Sequence, residues 1–218
     1  MDTHIIGFMR YERNIRVLGE EGQKRLRESS VLIAGVGGLG SFVATELALT
    51  GVGTLILVDK DTIEPSNLNR QILYTEKDIG KRKVEIAVRR LRDINPEVRV
   101  RGFHKDIREI NEKADAYVDC LDNWEARTAL ACLAEKYEKP LVHGGVDSYN
   151  GQVGVFFSKD WIASKKGKQV SGNIAPVVGL VASLQSFITV QCLLGNINEE
   201  FLVLINAETF EFRKVRVK

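Results

Sequence analysis

Two cations that follow a glycine-rich turn are the residues best suited to chemistry. The turn is Gly35-Val-Gly-Gly-Leu-Gly40, and Arg70 and Lys83 come after it in the chain. Glycine lacks the Cβ that would hold phosphates away from backbone N–H groups, so the turn can bind a nucleotide. A guanidinium and an ammonium group there would neutralise the charge that develops on an α-phosphate and on departing pyrophosphate. The pattern predicts nucleotidyl transfer; the alternative is that both are solvated surface cations.

The glycine turn lies between a predicted strand, 31–35, and a predicted helix, 41–50. Asp59 ends the next predicted strand, where its carboxylate can accept hydrogen bonds from ribose hydroxyls. A second interpretation is that the glycines only allow close packing and that Asp59 caps a turn. A dehydrogenase that binds NAD would have the same two features. Hydride transfer does not need two cations near the phosphates, so Arg70 and Lys83 are the residues that favour nucleotidyl transfer over a dehydrogenase.

Acidic and amide side chains follow the fourth apolar stretch, in the run Val118-Asp-Cys-Leu-Asp-Asn123. Carboxylates at the end of a parallel strand face the same crevice as the glycine turn and can hold Mg²⁺, which prefers oxygen ligands. Alternatively, Asp122 or Asn123 caps the helix that begins near Trp124. The local pattern leaves both interpretations open.

The cysteines and histidines predict no chemistry of their own. Cys120 has no histidine near it in sequence, and we expect a small buried thiol at a strand end. His143 ends an apolar stretch and is expected to be a hydrogen-bonded core histidine. The chain contains 3 cysteines and no C-x-x-C pair, so we predict neither a disulfide framework nor a four-cysteine zinc site.

Alternating apolar strands and amphipathic helices position these residues. The pattern predicts an α/β fold, a Rossmann-like, doubly wound and mostly parallel sheet that ends in antiparallel strands. The predicted helices are 20–28, 41–50, 81–95, 124–137 and 175–194, and the predicted strands are 31–35, 54–59, 98–103, 114–121, 140–143, 151–158, 201–206 and 209–217. The polar stretch 159–173 is predicted to be a mobile loop.

Composition limits the class of protein. With 218 residues, 44% of them hydrophobic, the chain can form one domain, with a nucleotide-binding core over about 30–145 and an extension over about 146–218. A net charge of +2 suggests neither nucleic acid nor a membrane as partner. The charge-free stretch 169–198 is interrupted by polar residues, which favours a helix in a core or a subunit interface over a membrane span. The sequence shows no secretory signal, and we expect a cytoplasmic protein.

Taken together, several ordered motifs resemble the ThiF/MoeB/HesA family, the bacterial and archaeal relatives of ubiquitin-activating enzymes. The resemblance implies an ATP-dependent adenylyltransferase that acts on the C-terminal glycine carboxylate of a small ubiquitin-like sulfur-carrier protein ending in Gly-Gly. It also implies Mg²⁺ as cofactor and a homodimer. The motifs are Arg10-Tyr-Glu-Arg13, Gly35–Gly40, Asp59-Lys-Asp61, Ser66-Asn-Leu-Asn-Arg-Gln71, Gly80-Lys-Arg-Lys83, Asp119-Cys-Leu-Asp-Asn123 and Gly151-Gln-Val-Gly154.

The resemblance also implies roles for single residues. Gly38 would meet the phosphates and Asp59 the ribose, Asp122 would hold Mg²⁺, and Arg13 would reach into the site of the neighbouring subunit. Asn67, Arg70, Gln71 and Lys83 would surround the phosphates, and the implied nucleotide site further includes Gly35, Gly37, Gly40, Asp61, Ser66 and Asn123.

The sequence departs from the family pattern at three points. Asn69 replaces the usual glutamine, the paired C-x-x-C motifs that bind structural zinc are absent, and no cysteine occurs in the loop near 165–173. Adenylation is therefore expected without zinc, and a covalent cysteine step is left open. Two alternatives remain: a relative that modifies tRNA by adenylating a small carboxylate, and a non-catalytic scaffold that binds nucleotides.

Overall fold

The residues that the computed structural model describes, 9–165 and 172–217, contain a single sheet of eight strands. The strand order is β3-β2-β1-β4-β5-β6-β7-β8, and the first five strands are parallel while the last three are antiparallel. The predicted fold class is confirmed. The strands are β1 Ser30–Ala34, β2 Thr54–Val58, β3 Arg99–Phe103, β4 Ala116–Asp119, β5 Leu141–Asp147, β6 Asn150–Phe156, β7 Phe201–Asn206 and β8 Glu211–Arg216.

Helices cover the sheet. They are α1 Glu12–Glu28, α2 Gly38–Thr50, α3 Lys83–Ile94, α4 Trp124–Lys136, α5 Asp160–Ala163 and α6 Ala175–Leu193. The prediction of a first helix at 20–28 was wrong at its start, because α1 begins at Glu12 and continues through a kink at Gly19, whose φ is 74°. A glycine tolerates this left-handed backbone, so the helix resumes after it instead of ending.

The central strand β1 is buried on both faces, as a parallel strand between two helical layers must be. Val31 and Ile33 belong to one apolar cluster, which includes side chains of α2 and α3. Leu32 and Ala34 belong to another, which includes side chains of α4. Strand order reverses between β1 and β4, and in a doubly wound sheet a ligand crevice forms beyond the carboxyl ends at such a point.

Strand β5 is longer than predicted. The pair Gly144-Gly145 indicated a break after His143, but β5 continues through both glycines to Asp147 and pairs along its length with β6. A Cβ on Gly144 would lie 2.4 Å from Oε1 of Gln185 on α6. The glycine therefore serves the close approach of helix to strand and does not form a turn.

Helix α6 is the one helix, in the part of the chain described, that is long and apolar enough to cross a membrane. Within its most apolar window 56% of the residues are buried, and it packs on β5, β6 and α2. That packing is typical of a core helix, which is how the sequence was interpreted.

The stretch 159–173 was predicted to be a loop throughout. Its first part instead forms the short helix α5, because the ring of Trp161 stacks on Phe156 with centroids 4.6 Å apart. Residues 166–171 lie outside the described part, so the prediction is not tested there.

Replacement of Gly40 by alanine should destabilise the protein. The added Cβ would lie 1.9 Å from the carbonyl oxygen of Gly35, and backbone atoms of a packed turn cannot move aside cheaply. We expect the free energy of unfolding in urea to fall by about 2 kcal/mol or more. Gly172→Ala is the control, because its added Cβ would meet no atom of the described residues within 4 Å, its two chain neighbours apart. Equal stability of the two variants would contradict this account of the turn.

Candidate active site

A cleft of about 910 Å³ opens beyond the carboxyl ends of β1, β2 and β4, and most of the residues predicted to form a nucleotide site line it. Gly40, Ser66 and Arg13 do not line the cleft of their own chain. Arg13 is exposed on α1. The next residue, Asn14, donates from its side chain to the carbonyl of Thr50, the last residue of α2, so this part of α1 lies away from the glycine turn. The predicted residues that line the cleft are Gly35, Gly37, Gly38, Asp59, Asp61, Asn67, Arg70, Gln71, Lys83, Asp122 and Asn123.

The two ends of the glycine turn, Gly35 and Gly40, lie too close to backbone atoms for either to carry a side chain. Gly35 has a φ of 85°, a left-handed backbone that glycine adopts readily. Gly40 lies behind the turn against Gly35, so its role is packing. The hydroxyl of Tyr74 donates to the carbonyl of Val36 over 2.7 Å and fixes the middle of the turn. Gly38 begins α2, so its backbone N–H group is at the helix end that attracts anions.

Asp59 joins the glycine turn to the end of β2. Its Oδ2 accepts from the N–H of Val36 over 2.7 Å, and its Oδ1 accepts from the N–H of Asp61 over 2.8 Å. Burial raises the pKa of Asp59, and the Lys83 ammonium group opposes that shift. A carboxylate has about four lone-pair sites, so this one can still accept bonds from a ligand hydroxyl.

The two cations enter the cleft from different directions. Lys83, at the start of α3, is buried and donates to Oδ2 of the half-exposed Asp61 over 3.1 Å. Arg70 donates from Nη1 to the carbonyl of Ser66 over 3.0 Å and to Oδ1 of Asn69 over 2.8 Å. No carboxylate in the described part of the chain forms an ion pair with Arg70, so its charge remains available to an anionic ligand.

Of the two neighbouring residues that could cap α4 or bind a metal ion, Asn123 forms the cap and Asp122 does not. Oδ1 of Asn123 accepts from the N–H of Ala126 over 2.9 Å and caps α4. Asp122 takes no part in the cap and lies exposed at the cleft, with one contact to the Asn123 amide at 3.2 Å. Mg²⁺ is commonly held by one or two carboxylates together with phosphates and waters. Asp122 therefore fits the role of a magnesium ligand on a bound nucleotide.

No ready-made metal cluster accompanies it. Among residues 9–165 and 172–217, no group of three or more His, Cys, Asp or Glu side chains is placed to hold a metal ion. A magnesium ion held by Asp122 would take its remaining ligands from the nucleotide phosphates and from water.

One wall of the cleft was missed by sequence reasoning. Lys105, Asp106 and Ile107 follow β3, and Lys60 follows β2, so all four lie at the same sheet edge as the predicted residues. The bonds from Arg108, and then that from Lys60, hold the pKa of Asp106 well below its usual range. The available signal was the end of β3, because the carboxyl ends of parallel strands share one edge.

A buried polar network supports the floor of the cleft. Oδ2 of Asp119 accepts from Nη1 of Arg127 over 3.0 Å and from Nδ1 of His143 over 2.6 Å. Arg127 also donates to the carbonyl groups of Gly144 and Leu121. The loop that carries Asp122 is thereby tied to β4, β5 and α4. Arg127, which lines the cleft, was not singled out from the sequence.

His143 is a hydrogen-bonded core residue, as expected, whereas Cys120, expected to be buried, is partly exposed and lines the cleft. A neutral ring with its proton on Nδ1 donates to Asp119 and accepts at Nε2 from the Gln152 amide, 2.9 Å away. Nη1 of Arg127, which lies 2.7 Å from Nδ1, donates to Asp119 and to the carbonyl of Gly144 instead. Burial lowers the pKa of His143. The charge of Arg127 lowers it further, while the hydrogen bond to Asp119 raises it and only partly offsets these effects. Burial raises the pKa of the Cys120 thiol well above its usual value, which disfavours a thiolate nucleophile.

A second cavity of about 360 Å³ lies at the amino ends of β2 and β3, between Arg27, Glu97 and Arg99. It is remote from the glycine turn, and no predicted site residue lines it.

The doubly wound sheet, the glycine turn and the carboxylate at the end of β2 define a nucleotide-binding α/β protein. The chain matches the ThiF family over residues 11–218 and belongs to it. This finding confirms the resemblance on which the residue roles were based.

Relatives of known function are similar over most of the chain. The sulfur carrier protein ThiS adenylyltransferase of Escherichia coli (strain K12) is 32% identical over 86% of this chain and 82% of its own. The molybdopterin-synthase adenylyltransferase of the same strain is 33% identical over 96% of this chain and 92% of its own. Several other relatives are longer, and the chain spans between 51% and 57% of their length.

The fold also occurs in a solved structure. A crystal structure of E. coli MccB with ATP superposes with a TM-score of 0.80, covering 95% of this chain and 71% of that one at 23% identity. At this identity the likeness supports the fold alone.

The buried imidazole should make stability depend on pH. An unfolded histidine takes up a proton near its ordinary pKa of 6.5, whereas folded His143 resists protonation, so the unfolded state gains protons and stability decreases as pH falls below that value. We expect His143→Gln, which keeps a donor for Asp119, to reduce this slope between pH 6.5 and 5 by up to about 1.4 kcal/mol per pH unit. Urea unfolding at several pH values measures it. Identical slopes would show that folded His143 takes up its proton at the same pH as an unfolded histidine.

Proposed function

We propose that this protein is an ATP-dependent adenylyltransferase that activates the C-terminal glycine carboxylate of a small ubiquitin-like sulfur-carrier protein. The observation that carries the proposal is the convergence of Arg70, Lys83 and Asp122 on one cleft that also contains the glycine turn. The two E. coli relatives, which are named adenylyltransferases for ThiS and for molybdopterin synthase, support the same reaction.

The reaction requires little acid–base chemistry from the protein. The carrier carboxylate is already a nucleophile; one of its oxygens bonds to the α-phosphorus of ATP, and the bond to the bridging oxygen breaks to release pyrophosphate. No general base is needed, which agrees with a cleft that no histidine among the described residues lines. Holding the two reactants in line supplies effective molarities of about 10⁵ M or more.

The side chains of the cleft have separate tasks. Asp59 would orient the ribose, and the first N–H groups of α2 would bind phosphate oxygens. Arg70 and Lys83 would stabilise the negative charge that moves onto pyrophosphate. Mg²⁺, when bound with the nucleotide, neutralises phosphate charge, and Asp122 would hold it. On binding ATP, Lys83 exchanges its contact with Asp61 for a phosphate oxygen.

We further propose that the active unit is a homodimer. Arg13 is exposed on α1 and does not line the cleft of its own chain, so it reaches phosphates only in a second copy. Apolar side chains on the outer face of α6, Leu180 and Phe187, are exposed and suit the same contact. Because the reaction consumes ATP, we propose a cytoplasmic location. The proposal needs no zinc.

Arg70→Ala and Lys83→Ala should each abolish carrier-dependent exchange of pyrophosphate into ATP. Loss of one cation in a water-poor site costs about 10²-fold or more in rate. The fold should survive, since Arg70 lacks a carboxylate partner in the described part and Asp61 stays partly hydrated when Lys83 is removed. The assay uses candidate carriers that end in Gly-Gly, each with and without the terminal glycine.

Arg82→Ala is the matched control for these variants. Arg82 precedes Lys83, lies outside the cleft and pairs with the exposed Glu85, so exchange should be unchanged. Normal exchange by both cleft variants would refute the roles assigned to the cations. Exchange that does not require the terminal glycine would refute the carrier carboxylate as substrate.

Mixing two inactive variants tests the shared site. In a mixed dimer of Arg13→Ala and Lys83→Ala chains, one of the two sites contains both native side chains if Arg13 acts across the interface. The isolated mixed dimer should therefore show about half of the native exchange activity. If Arg13 serves its own chain, every site lacks one group and the mixture stays inactive. Co-expression with two affinity tags isolates the mixed dimer for the measurement.

A further inference from the structure

Asn69 connects the catalytic cation to the opposite wall of the cleft. Its Oδ1 accepts from Nη1 of Arg70 over 2.8 Å, and its Nδ2 donates to the carbonyl of Asn173 over 3.4 Å. All three residues line the cleft. A single amide thus contacts the guanidinium group on one side and, on the other, the backbone just before α6.

The segment that Asn69 contacts is itself anchored to the turn between β5 and β6. The N–H of Ser148 donates to the carbonyl of Gly172 over 2.7 Å, and Ser148 also forms a bridge with Asn173. Val146, two residues before Ser148, lines the cleft as well. The contacts therefore run from this turn through 172–173 and Asn69 to Arg70.

The chemistry of the link requires an amide. An amide accepts from Arg70 and donates to Asn173 at once, which neither a carboxylate nor an apolar side chain does. A carboxylate at this position would bind the guanidinium group more strongly, neutralise it, and lose the donor to Asn173. Asn69 is exposed, so its bonds contribute little to folding and its effect is exerted on the direction of Arg70.

We propose that Asn69 is a positioning residue that aims the Arg70 guanidinium group into the cleft, with its own orientation set by the backbone at 172–173. The inference rests on the proposed adenylation reaction.

The first test compares Asn69→Leu, Asn69→Asp and Asn69→Gln in carrier-dependent pyrophosphate exchange. We expect kcat to fall about tenfold or more for the leucine and aspartate variants, because a misdirected group loses transition-state stabilisation. The KM for ATP should change by less than about threefold in the leucine variant. Glutamine keeps both bonding groups and should restore kcat to within about threefold of native. Asn196→Leu, an exposed asparagine whose amide contacts Gln191, is the control.

The second test needs no carrier. ATP affinity is measured by calorimetry for the native protein, Asn69→Leu, Arg70→Ala and the double variant. If Asn69 acts through Arg70, its replacement weakens binding only while Arg70 is present, and the cycle shows a coupling of about twofold, within the limit expected for KM.

The outcomes separate the two proposals. Additive effects on ATP affinity, or native kcat in the leucine and aspartate variants, would overturn the role of Asn69. A glutamine variant as impaired as the leucine variant would do the same. Coupling in the binding cycle without exchange activity on any carrier would instead reject the proposed function and leave Asn69 acting on Arg70.

Discussion

The contact between Asp119 and Arg127 is the interaction on which the site depends. It lies beneath the point where strand order reverses, and it is almost fully buried. A buried carboxylate or guanidinium group is costly unless it is paired, so each residue requires the other. Because Arg127 also holds the carbonyl groups of Leu121 and Gly144, the ion pair fixes the strand ends and the loop that bears Asp122. The charge pair thus supports the geometry of the cleft without taking part in its chemistry.

The cleft combines two kinds of surface. One is rigid: the glycine turn, Asp59 and the buried network are held by packed or hydrogen-bonded neighbours on the sides that do not face the cleft. The other consists of charged groups whose bonds are replaceable, namely Lys83 on the half-exposed Asp61 and Arg70 on neutral oxygens. A phosphate carries more charge than either partner, so it can take both cations from them. Under the proposed function, this division would let the site bind and release a highly charged substrate while the fold stays unchanged.

Sequence patterns predicted what local spacing determines. The glycine turn, Asp59 and the residues after β4 follow from strand ends, so they were found at their observed places. Arg127 was missed because its importance comes from Asp119 and His143, which meet it only in the folded chain. The predicted strand ended at His143, before Gly144-Gly145, because the sequence does not show what the glycine is for. Glycine is needed at 144 so that the side chain of Gln185, some forty residues later, can pack against the strand. The start of α1 was missed because Gly19 has the properties of a helix terminator but lies at a kink.

Backbone hydrogen bonds join the two ends of the loop that connects β2 to α3. The N–H of Lys83 bonds to the carbonyl of Asp61, and reciprocal bonds join Ile63 to Lys81 and Gly80. Asn67, Arg70 and Gln71 therefore belong to a loop whose two ends touch at its base. The loop is closed at its base, yet its Leu73 and Tyr74 side chains lie in the apolar core and the Tyr74 hydroxyl holds the carbonyl of Val36. The loop that bears the cation Arg70 and the turn that would meet the phosphates therefore keep their shapes together, so a change of length in one would disturb the other.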